Sequence, residues 1–71
     1  MSRLASVSAR ECVNALQRLG FMVKRQNGSH IILAKEGRRV VVPNHNPIKI
    51  GTIRSIITQA GLTVDEFITS L

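Results

Sequence analysis

Two histidines, His30 and His45, are the side chains in this sequence best suited to moving protons near neutral pH. His30 closes the stretch Arg25-Gln26-Asn27-Gly28-Ser29-His30, and Lys24, Gln26 and Arg39 fall where an extended chain would turn them to its side. A histidine that can change charge near neutrality is the usual agent of proton transfer in reactions such as RNA cleavage, and nearby cations favour an anionic ligand. By type alone an isolated histidine such as His30 is more often a surface or loop residue, and Ser29 is either a turn residue or an active-site hydroxyl. His45 reads as a loop residue bonding to nearby backbone, or as a second proton-transfer group or phosphate contact. Lys49-Ile50-Gly51-Thr52-Ile53-Arg54 opens a helix, whose free amides favour an anion, with Lys49, Thr52 and Arg54 as further contacts. The other reading is a helix capped by Thr52 with a solvated Arg54. No Gly-x-Ser-x-Gly, P-loop or dinucleotide-binding pattern is present. Two histidines without a cysteine or acid cluster make a poor metal site, so no metal and no cofactor are expected.

These residues must be positioned by surrounding elements. Ser8-Ala9-Arg10-Glu11 has the capping-box form, Ala9, Cys12, Val13, Leu16 and Leu19 recur at helical spacing, and Gly20 is a natural stop. The pattern predicts a helix over residues 8–19. Strands follow over 21–26, 29–34 and 38–43, with Asn27-Gly28 read as a type I′ turn and Lys35-Glu36-Gly37 as the next. Residues 43–49 form a loop. A second helix runs from Ile50 to Gly61, and Thr63 to Glu66 caps a short third. The fold class expected is α+β, with a three-stranded antiparallel sheet.

Strand alternation predicts Phe21, Val23, Ile31, Leu33, Val40 and Val42 toward the helices. Met22, Lys24, Gln26, His30, Ile32, Arg39 and Val41 would then face outward. An apolar patch rimmed by charge reads as a binding surface. The alternative is the half-solvated face that any single-sheet domain leaves exposed.

Composition narrows the partner. Of 71 residues, 10 are Lys or Arg and 4 Asp or Glu, a net charge of +6. All the bases lie in residues 1–62, so the body is more basic than the total suggests. The excess points to an anionic partner. Arg3, Arg10, Arg18 and Lys35 read as general solvating charge. At 44% hydrophobic residues the chain is globular, and its length allows one domain, residues 1–71. No apolar run approaches the roughly 20 residues of a membrane span, and no leader pattern is visible. A single cysteine fits a reducing cytoplasm. With two Phe and no Trp or Tyr, a module that stacks bases on exposed rings is not expected.

The sequence closely resembles the HicA family of toxins from bacterial type II toxin–antitoxin systems, from about Ser6 to Leu71. The resemblance lies in Ser8-Ala9-Arg10-Glu11, Leu19-Gly20-Phe21, Arg25-Gln26-Asn27-Gly28-Ser29-His30 and Gly37-Arg38-Arg39-Val40-Val41-Val42-Pro43 with His45. Lys49-Ile50-Gly51-Thr52-Ile53-Arg54 and Gln59-Ala60-Gly61-Leu62 complete it. Gly-Ser-His alone is a weak signature; followed about 20 residues later by Gly-Thr-Ile-Arg it is strong. The loop Asn44-His45-Asn46-Pro47 departs from the more charged stretch many relatives carry. The resemblance implies a fold like the double-stranded RNA-binding domain, in the order α-β-β-β-α. It implies a metal-independent endoribonuclease that cuts mRNA, with His30 as the catalytic histidine. RNA contacts are expected from Lys24, Gln26, Gly28, Ser29, Arg39, His45, Lys49, Thr52 and Arg54. It further implies a HicB antitoxin that covers the active face, giving a hetero-oligomer. The rival expectation is a non-catalytic double-stranded-RNA-binding module with the same basic face.

Overall fold

A computed structural model describes residues 3–71. The element order is α1 (Ala9–Arg18), β1 (Met22–Asn27), β2 (His30–Lys35), β3 (Arg38–Pro43), α2 (Ile50–Ala60) and α3 (Val64–Thr69). This is the α+β arrangement expected, with a short C-terminal helix. The strands form one antiparallel sheet in the order β1-β2-β3.

The capping boxes set the helix starts. Ser8 Oγ accepts from the Glu11 N–H at 3.1 Å, and Glu11 Oε1 accepts from the Ser8 N–H at 2.9 Å. Thr63 and Glu66 repeat the exchange at the head of α3. Gly20 and Gly61, both at positive φ, end α1 and α2. At the end of α2 the Leu62 N–H donates to the Ile57 carbonyl and the Gly61 N–H to that of Thr58.

The helices cover one face of the sheet. Cys12, Ala15 and Leu16 of α1 meet Leu33, Val40 and Val42 of the sheet, Ile53, Ile56 and Ile57 of α2, and Phe67 of α3. No polar or charged residue is buried among the described residues. Each fully buried aliphatic side chain here contributes about 1.5–3 kcal/mol. With so few aromatics, that aliphatic burial must carry most of the stability.

Strands 1 and 2 begin one residue later than the pattern predicts, because the first turn differs. Asn27 pairs with His30, so the central turn residues are Gly28 and Ser29. Only Gly28 has positive φ (+62°), the form of a type II′ turn. The second turn, Glu36-Gly37, has positive φ at both positions, the type I′ form expected of the first.

A β-bulge at Lys24 changes the faces. Val23 pairs with Leu33 but Arg25 pairs with Ile32, leaving Lys24 extra. Residues opposite one another share a face. Arg25 therefore joins the outward set, and Gln26, opposite Ile31, belongs to the helix side. Gln26 does not face outward as alternation predicts; its Nε2 instead donates to the Gly28 carbonyl at 3.2 Å.

Two of the supposed solvating charges are tethered. Lys35 Nζ donates to the Leu19 carbonyl at 2.7 Å and lies 5.8 Å over the Phe21 ring. Arg18 Nη1 donates to the Ser70 carbonyl at 2.8 Å. Along the far side of β3, the Val41 N–H donates to Gln59 Oε1 of α2 at 3.2 Å.

Candidate active site

The outward face is a ladder of three rows. Asn27, His30 and Pro43 form the first, Arg25, Ile32 and Val41 the second, and Met22, Ala34 and Arg39 the third. The bulge places Lys24 beside Arg25 in the second row. His30 is thus exposed at the end of the sheet, one row from two cations. At about 3.3 Å per residue the second row lies about 7 Å along β2 from His30 and the third about 13 Å. Arg39 does not flank His30 as expected: it stands two rows off, and Arg25 takes the nearer place.

Arg25 is the site residue that sequence reasoning missed. Simple alternation puts it on the helix side, and nothing in Val23-Lys24-Arg25 marks the bulge that turns it outward. Ile32 is buried although it lies outside the helix-side core, with Arg25 and Val41 as its cross-strand neighbours. Met22 in the third row is 63% exposed. The face is apolar along its middle and basic along β1.

The turn and the following loop are bound together around His30. The Asn44 N–H donates to the Ser29 carbonyl at 2.6 Å. The His45 N–H donates to the Pro43 carbonyl at 2.8 Å, and the His45 carbonyl accepts from the Ala9 N–H at 3.0 Å. A bridge between Val7 and Ile48 fixes the end of the loop. The sequence leaves this region a plain loop, because these bonds join segments far apart in the chain.

His45, Lys49 and Thr52 come together with Pro43, Pro47 and Ile48 around a pocket of about 280 Å3. Lys49 is the N-cap residue of α2 and no side chain caps that end, so Thr52 is not the cap that one reading made it. Arg54 is exposed on α2 and does not line the pocket. Gly28 and Ser29 form the tip of the turn. Cys12 takes no part: burial pushes its thiol up to about 12. No three His, Cys, Asp or Glu side chains among the described residues are grouped to hold a metal ion.

A family model for the HicA toxin of bacterial toxin–antitoxin systems matches residues 9–62. The chain belongs to the HicA toxin family. The match spans α1, the whole sheet and α2, and so includes His30, both cations of the second row and the pocket. A search of curated proteins finds no match. As a HicA toxin the chain has an antitoxin as its partner. No helix among the described residues is long and apolar enough to cross a membrane.

Proposed function

We propose that this HicA toxin is a metal-independent endoribonuclease that cleaves mRNA, with His30 as its catalytic histidine. The observation that carries the reading is the placement of His30. It is the one histidine on the open sheet face, exposed one row from Lys24 and Arg25.

In this reading His30 takes the proton of a ribose 2′-hydroxyl. The oxygen attacks the adjacent phosphorus, and the bond to the 5′-oxygen of the next nucleotide breaks. That oxygen takes up a proton from His30 or from water. The products are a 2′,3′-cyclic phosphate and a free 5′-hydroxyl. Lys24 and Arg25 offset the charge that grows on the phosphate oxygens. Proton transfer by a placed side chain is worth about 10²–10⁴-fold in rate.

A HicB-type antitoxin fits the same face. Its exposed Met22 and half-buried Val41 suit a protein surface, and its cations suit acidic residues. An antitoxin seated there would shut RNA away from His30.

The test is purified toxin with RNA in EDTA. Cyclic-phosphate ends from the wild type, lost in a folded His30→Ala variant that still binds antitoxin, are expected. Retarded but uncut RNA with the wild type would make the protein a binding module. Full cleavage by His30→Ala would remove the histidine from the chemistry.

A further inference from the structure

The pocket beyond Pro43 adjoins the proposed site and has its own chemistry. Pro43 is the direct cross-strand partner of His30 on the outward face and also a wall of the pocket. Neighbouring strands lie about 4.8 Å apart. A chain whose scissile phosphate sits at His30 therefore reaches the pocket within one nucleotide step.

The walls are of two kinds. Pro43, Pro47 and the buried Ile48 are apolar, while His45, Lys49 and Thr52 bring a ring nitrogen, an ammonium and a hydroxyl. The backbone bonds of His45 to Pro43 and Ala9, and the Val7–Ile48 bridge, tie these walls to β3 and α1. The pocket is thus part of the packed body. Neither phenylalanine ring is open to a nucleotide, because Phe21 and Phe67 are both buried.

We infer that this pocket holds the nucleotide next to the scissile bond. Its sugar or base lies against Pro43 and Pro47, and its phosphate meets His45, Lys49 and Thr52. The inference rests on the reading of His30 as the cleaving residue. It adds where the substrate is gripped, and it separates gripping from cutting.

The probe is a dinucleotide with a 2′-deoxy sugar on its 5′ side, which cannot be cleaved. It is titrated into the isotope-labelled full chain while amide NMR signals are followed. The amides of Lys49, Gly51 and Thr52 should shift together with those around His30. In cleavage assays Thr52→Val and Lys49→Ala should each raise KM for RNA about ten-fold, the loss of one charge-assisted or hydroxyl contact. Their kcat should fall far less than that of His30→Ala. Shifts confined to the strands, or unchanged KM in both variants, would overturn the inference. So would loss of antitoxin binding in these variants with KM unmoved, since the pocket would then be a protein contact. If the wild type cuts no RNA yet the dinucleotide still shifts the pocket amides, the nuclease reading fails and the nucleotide site stands.

Discussion

The Asn44 N–H reaches across to the Ser29 carbonyl at 2.6 Å, so the turn before His30 and the loop carrying His45 are held as one piece. The catalytic candidate and the pocket beside it are therefore positioned by the same short stretch of backbone. Disturbing the turn should be felt at both.

Gly28 is the sensitive point of that turn. Its φ of +62° is strained for any residue with a Cβ, although the space around it is open. Gly28→Ala should destabilise the fold by about 1–2 kcal/mol. In a domain of this size each kcal/mol lowers Tm by about 4–8 °C. Thermal unfolding checks this; an unchanged Tm would mean that the turn does not need its positive φ.

The rows of the sheet predict unequal cations. Arg25→Ala should lower kcat and reduce the steepness with which RNA affinity falls with salt. The loss is about 0.7 in the logarithmic slope for each phosphate contact to a single strand. Arg39→Ala, two rows from His30, should weaken RNA binding with a smaller effect on kcat. Cleavage rates and binding titrations over a salt series test the pair. Equal kcat losses would refute the order of the rows.

Glu11 gives the fold an acid-sensitive element. The Ser8 backbone N–H, and then the Ser8 hydroxyl, hold its carboxyl below the usual range. A lowered folded value means stability that is present above the unfolded pKa and lost as pH falls through the folded one. Glu11→Gln should therefore shrink the Tm difference between neutral and acidic buffer. A difference as large as the wild type's would show that this carboxylate adds nothing.

Cys12 should be silent to reagents. It is fully buried in the core, and with its thiol pushed up to about 12 it carries no thiolate at neutral pH. Iodoacetamide should label it only in denaturant. Labelling of the native protein at a rate like that of free cysteine would contradict the packing around α1.

Much of this architecture is legible in the residues. Ser8 with Glu11 and Thr63 with Glu66 mark their helix starts, and Gly20 and Gly61 mark the ends, because each satisfies a local backbone need. The register of β1 is not legible. Asn27-Gly28 and Gly28-Ser29 are both acceptable hairpin centres, so the turn can be misplaced by one residue. The bulge at Lys24 has no composition signal, and together with the Asn27–His30 pairing it sets Arg25 rather than Gln26 on the outward face. His30 keeps its face despite both shifts, since its pairing with Asn27 and Pro43 follows from the turn that is actually made. The pocket is hidden for another reason: the loop that lines it is held by bonds to the distant Ala9 and Val7.

The bond from the Val41 N–H to Gln59 has a consequence for assembly. It occupies a donor on the free flank of β3, and on the other flank the Lys24 bulge breaks the regular spacing of β1. Neither margin of the sheet offers an unbroken template for another strand. Lateral growth into fibres or swapped sheets is thereby discouraged. The proposed antitoxin contact would then be broadside, over the surface on which His30 stands.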